Sequence, residues 1–152
     1  MSKIETVEIE CPECREIQAT TVWHSLNTSL DAEDKELLFA GKINNFHCQN
    51  CSNEASIPID FLYHDMVNRY LVQFYHPRNL DNEDFFKILT PEGYLNMSTP
   101  APKLVERAEQ MNGGNYLSRQ HIVFSMEELI RYVMFRDKLA AMKSEIAHTP
   151  IV

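Results

Sequence analysis

At 152 residues, with 44% hydrophobic and 24% charged side chains, the chain has the make-up of one soluble globular domain, and neither disorder nor a fibrous class fits it. Fourteen Lys and Arg against 22 Asp and Glu give a net charge of −8, a field that repels phosphate backbones and weighs against nucleic-acid binding. No apolar run approaches the roughly 20 residues that cross a bilayer, and the opening MSKIETVEIE has no apolar signal region, so no membrane role and a cytoplasmic location are expected.

Residues 3–10, KIETVEIE, alternate apolar and charged positions and predict a half-buried strand. The knuckle CPEC at 11–14 turns the chain, and REIQATTVWH, rich in Ile, Thr, Val and Trp, predicts the returning strand, so Cys11 and Cys14 belong at a hairpin tip. A short helix is expected over 31–40, with Asp31 as N-cap, Leu37, Leu38 and Phe39 as its apolar patch and Gly41 as its left-handed stop. INNFH then delivers Cys48, and EASIPID leads away from Cys51, so CQNC at 48–51 repeats the first knuckle.

Two aromatic, branched runs at about 59–65 and 70–76 predict further strands, and the turn between them lacks an Asn-Gly signature. A short helix is expected over 83–89, a turn at Pro91-Glu92-Gly93, and another helix over 103–112 ending at Gly113 and Gly114. His121 to Phe124 predicts a short strand, Ser125 an N-cap and Glu128 its capping-box partner. The helix that follows, over 126–143, places Met126, Leu129, Ile130, Val133 and Leu139 along one face. The fold class is α+β: a zinc-ribbon-like antiparallel region over 4–60 with an inserted helix, then strands and C-terminal helices over 61–143. These form one domain, 1–143, with a tail over 144–152.

The two knuckles hold all four cysteines of the chain. A tetrahedral Zn²⁺ takes four thiolates at about 2.3 Å, and two C-x-x-C tips facing each other supply them. The 33 residues between Cys14 and Cys48 exceed the spacing of compact zinc ribbons, an excess the inserted helix accounts for. A rubredoxin-like iron site uses the same ligands and stays open as an alternative. Thioredoxin-type redox pairs want a cysteine at a helix N-terminus, whereas each pair here lies between strands, and disulfides do not persist in a reducing compartment. His47 beside Cys48 is read as a strand residue, because four cysteines already complete the shell. Zn²⁺ bound by Cys11, Cys14, Cys48 and Cys51 would be structural, and would bring the holo-protein to about −10.

CPEC, FHCQNC, the paired runs FLYHD and YLVQFYHP, and HIVFSMEELI together resemble the CpXC-domain family, over roughly Val7 to Lys138. That family is prokaryotic, is named for its C-P-x-C motif and has no established biochemical activity. The resemblance implies a zinc-ribbon-like architecture and carries no reaction with it. Here the second knuckle, CQNC, lacks the proline.

Outside the knuckles the ionisable candidates are His64 with Asp65, His76, His121 and the carboxylates Asp81, Glu83 and Asp84. Neighbours on a strand point to opposite faces, so His64 and Asp65 do not form a pair, and the acidic cluster reads as a solvated loop. No phosphate-binding glycine loop, H-E-x-x-H or G-x-S-x-G occurs. Arg131, Arg136, Lys138 and Lys143, interleaved with Tyr132 and Phe135, give the last helix a mixture suited to phosphates and bases, interrupted by Asp137 and Glu145. Tyr132, Met134 and Phe135 beside Ile130 and Val133 exceed one apolar stripe, as a helix wrapped deeply by its own domain requires; a covering partner or a second copy is the alternative. The reading is a zinc-binding, non-catalytic protein-interaction or regulatory module. The alternatives are a nucleic-acid-associated zinc ribbon and an enzyme with its site in the C-terminal half.

Overall fold

The computed structural model describes residues 2–96 and 115–147. The helix expected over 103–112, with its glycine stop, lies outside the described residues. Among the described residues, seven strands form an α+β arrangement with short helices and a long C-terminal helix, as the sequence pattern implies. Strand β1 (Lys3–Glu10) pairs antiparallel with β2 (Ile17–Asn27), and β5 (Phe61–Asp65) pairs antiparallel with β6 (Tyr70–Phe74). β7 (His121–Val123) joins β6 in parallel and β2 joins β5 in parallel, giving one mixed sheet in the order β1-β2-β5-β6-β7. A separate two-stranded hairpin, β3 (Asn45–His47) with β4 (Glu54–Ser56), carries the second knuckle.

Eleven residues make β2 long enough for two tasks. Its first part, from Ile17, pairs with β1 beneath the first knuckle, and Ser25, Leu26 and Asn27 pair with Leu62, Tyr63 and His64 of β5. The β1–β2 hairpin is therefore one end of the main sheet, and the second hairpin is an insertion in the crossover between two parallel strands.

That crossover also contains a single 3₁₀ turn, Ala32–Asp34, leading into α1 (Lys35–Phe39). Asp31 does not cap it; its carboxylate accepts from the Ser2 amide at 3.1 Å and from the Ser2 hydroxyl. Gly41, at φ 68°, ends α1 as expected: its amide reaches the Leu38 carbonyl at 3.0 Å and the Lys42 amide the Leu37 carbonyl at 2.9 Å, a Schellman pair. Leu38 is fully buried by this docking.

The β5–β6 turn works without Asn-Gly. Asp65, buried at its start, accepts from the Asn68 amide at 2.8 Å and the Asn68 side chain at 2.9 Å, while Arg69 takes a left-handed φ of 54°. Helix α2 (Glu83–Lys87) is capped by the Asn82 side chain, which accepts from the Asp84 amide at 3.0 Å. Helix α3 (Met126–Ala147) begins on Ser125, whose hydroxyl accepts from the Glu128 amide at 3.1 Å. The Glu128 carboxylate reaches back to the Phe124 amide at 3.2 Å, one residue before the usual capping-box target.

Leu26, Phe61, Tyr63, Val72, Leu129 and Val133, all fully buried, pack α3 and α1 against one face of the sheet. Met126 and Ile130 lie against this core as the helical spacing predicts. Leu139 does not: it lies exposed, as do Met134, Phe135 and Met142, and α3 runs four residues past the expected end at 143. No described helix is long and apolar enough to cross a membrane.

Candidate metal centre

Each knuckle is built by the same local device. In the first, the Cys11 amide donates to the Glu16 carbonyl at 2.8 Å and the Arg15 amide to the Cys11 carbonyl at 3.0 Å, with Arg15 at φ 66°. In the second, the Cys48 amide donates to the Asn53 carbonyl at 2.8 Å and the Ser52 amide to the Cys48 carbonyl at 2.9 Å, with Ser52 at φ 60°. The residue after each second cysteine thus takes a left-handed turn that folds the C-x-x-C loop back on itself, aiming both sulfurs off the hairpin tip.

Two side-chain clamps bring the tips together. Asn44, buried and at φ 54°, accepts from the Trp23 amide and donates to the Trp23 carbonyl, each at 2.8 Å, so its amide substitutes for a neighbouring strand at β2. Nearer the tip, the Gln18 side chain donates to the His47 carbonyl at 2.8 Å and accepts from the Gln49 amide at 2.9 Å. Beneath the sulfurs Phe46 is buried among Cys11 and Cys48, with Ile9, Ala55 and Ile57 around it, a small apolar cluster distinct from the main core.

All four Sγ atoms lie within 4.8 Å of one another, with Cys11 to Cys51 and Cys14 to Cys48 each at 3.6 Å. A tetrahedron of sulfurs around a metal at 2.3 Å has edges of about 3.8 Å, so the spacing suits one ion held by all four. Cys11 and Cys48 are buried, Cys14 is half-buried and Cys51 is exposed. The electrostatics also suit a cation. The Cys14 thiol is lowered to about 6, chiefly because the Asn50 side chain and then the Glu16 amide donate to its sulfur. The Cys14 and Glu13 amides lower the Cys11 thiol. Although the Asn53 amide favours its thiolate, partial desolvation of its sulfur in the exposed residue and the three neighbouring sulfurs push the Cys51 thiol up to about 12. Some sulfurs are therefore poised as thiolates and their crowding resists the full complement, a resistance that a bound dication removes.

The other sequence candidates do not converge. His47 turns outward to Glu54 at 3.2 Å and takes no part in the sulfur cluster. His64 meets the Tyr116 hydroxyl at 3.0 Å, while Asp65 serves the β5–β6 turn from the other side of the strand. His76 accepts from the Arg78 amide at 3.2 Å, His121 stacks on Tyr132 at 3.8 Å, and Asp84 pairs with Lys87 at 2.6 Å. Among the described residues only the four cysteines form a group of three or more potential metal donors. On α3, Arg136 lies over the Tyr70 ring at 4.2 Å and Arg131 pairs with Glu127 at 2.7 Å, so two of the four cations in the predicted basic stretch are internally engaged.

Gln18, Asn44 and Asn50 are the site residues that sequence reasoning passed over. Asn50 lies between the two cysteines of its knuckle, which is a local clue; Gln18 and Asn44 act across strands and leave none.

Neither the curated proteins nor the solved structures contain a match to this chain. A family model described as CpXC protein matches residues 9–147, from the strand that carries the first knuckle to the end of α3. With both cysteine pairs and nearly the whole length inside that match, the chain belongs to the CpXC family.

Proposed function

We propose that the chain is a cytoplasmic protein-interaction module whose scaffold is locked by one structural Zn²⁺ on Cys11, Cys14, Cys48 and Cys51. The observation that carries this reading is the sulfur cluster itself: four thiolates fill a tetrahedral shell and leave no position for water or substrate, so the metal holds the fold and performs no turnover. The dual use of β2 supports one domain over 1–143, with the ribbon at 4–60 continuous with the remainder at 61–143. Interaction is supported by large apolar side chains outside the core. Phe86, Met134 and Phe135 are each more than half exposed, at 53%, 57% and 57%. Charge supports a protein partner over a nucleic acid.

Metal analysis of the purified protein should find one zinc per chain, and Cys48→Ser should lose both the metal and the folded ribbon. A photoreactive residue in place of Phe135 should crosslink a reproducible set of cellular proteins that the same residue in place of Glu8 does not. A fully folded metal-free protein would refute the zinc half of the reading, and identical crosslinks from the two positions the interaction half.

A further inference from the structure

The two outer strands of the sheet are unlike. β1 presents Lys3, Glu5, Glu8 and Glu10, charges that keep an open edge from pairing with other chains. β7, at the opposite side, is His121-Ile122-Val123, followed by Phe124, and carries neither lysine nor proline. Its register with β6 runs from Val72 opposite His121 to Phe74 opposite Val123, and the Tyr75 amide donates to the Val123 carbonyl at 3.0 Å. Main-chain groups alternate in direction along a strand, so those of His121 and Val123 face β6 and those of Ile122 face outwards. Among the described residues, no hydrogen bond uses the Ile122 amide or carbonyl, whereas the next outward amide, of Phe124, is taken by Glu128.

A cleft opens on each face of this strand. One, of about 390 Å³, lies between β7 and the α2 region, where Phe85, Phe86 and Tyr94 face Ile122 and Phe124. The other, of about 440 Å³, lies between β7 and α3, floored by His121 and Tyr132. Successive side chains of an added strand point to opposite faces, so such a strand would place neighbouring residues in the two clefts. Both clefts have an acidic rim, Glu92 on the first and Glu128 on the second, while Arg131 of the second is paired with Glu127 at 2.7 Å. A second copy would bring the same acidic rims and another −8 to this edge. A basic segment meets no such repulsion.

We propose that β7 takes up an extended, lysine- or arginine-bearing segment of a partner protein as a sixth strand. Its main chain bonds to Ile122, a bulky apolar side chain fills the α2 cleft, and its basic neighbours, on the other face, meet Glu128. This rests on the interaction-module reading and names its surface and the chemistry of its partner.

The probe is a short synthetic peptide alternating lysine with valine and phenylalanine, titrated into the zinc-loaded full chain. Saturable binding that moves the Ile122 and Phe124 amide resonances is expected. N-methylation of alternate peptide amides, or Ile122→Pro in the protein, should weaken it about tenfold by removing the edge hydrogen bonds. Proline at 122 leaves the β6 ladder intact, because that ladder does not use the Ile122 amide; if the variant does not fold, the N-methylated peptide decides. Equal binding of a scrambled peptide of the same composition, or binding indifferent to both changes, overturns the proposal. So does a dimer in light scattering that Ile122→Pro abolishes, which would make a second copy the occupant. Crosslinks from position 135 in a chain of unaltered sequence that does not bind the peptide would sink the edge-strand proposal and leave the module reading standing.

Discussion

At the scale of single residues the knuckles depend on a backbone conformation that their sequences do not favour. Ser52 and Arg15 hold left-handed φ values without being glycine, at a cost of roughly 1–2 kcal/mol for an ordinary side chain. Ser52→Gly relieves that cost and loses part of it to the greater freedom of glycine in the unfolded chain, about 0.5–1 kcal/mol. A net gain of about 0.5–1 kcal/mol is expected in denaturant unfolding of the zinc-loaded protein; a loss would mean that Ser52 has a role beyond its turn. His64 gives a pH signature. Burial, opposed by the nearby Asp65 charge, lowers its protonation below the ordinary histidine value. The folded state thus binds fewer protons than the unfolded one as pH falls through about 6.5, and stability is lost on that side. His64→Gln should lose less stability than the wild type between pH 7 and about pH 5.5, with unfolding midpoints compared pairwise so that acid release of metal affects both alike. Equal losses would place the acid sensitivity elsewhere.

At the scale of elements, what the sequence made legible was local and what it hid was not. The alternation of residues 3–10, the branched run after CPEC and the Ser125–Glu128 pair each announce an element by periodicity or by a cap that acts within one turn. The pairing of Leu26 with Tyr63 leaves no such trace, since parallel partners are joined by a long crossover and not by a turn. Leu139 departs from the expected stripe for a related reason: helical spacing tells which residues share a stripe but not which of them meet the sheet. Asp31 followed the pattern of a cap, yet its carboxylate is drawn to Ser2, a contact 29 residues away in the chain. Gln18 is the most consequential residue of this hidden kind. Its two hydrogen bonds tie β2 to the second knuckle. Gln18→Leu should leave the sheet folded and speed transfer of zinc to a competing chelator several-fold, followed by a chromogenic zinc indicator. An unchanged transfer rate would make the clamp incidental to the site.

At the scale of the molecule, the clustering of the two knuckles was readable from spacing alone, because four cysteines in two pairs make a candidate ligand set before any fold is known. Their placement was not readable: they sit at one end of the main sheet, anchored through β2, with a small apolar cluster of their own. That separation has an energetic meaning. Phe46 with a few partly buried neighbours is little apolar surface, and structural zinc in small peptides contributes on the order of 10–16 kcal/mol, so this end of the molecule should stand or fall with its metal. The α3–sheet core, far larger, gives the opposite end its own support. Under the proposed closed sulfur shell, activity would lie on surfaces which the metal positions and does not touch.

X-ray absorption at the metal edge of the purified protein tests this most directly. Zinc bound by four sulfurs at about 2.3 Å, with no nitrogen or oxygen neighbour, is the expected result. An iron edge, or a nitrogen or oxygen ligand replacing one of the sulfurs, would contradict it.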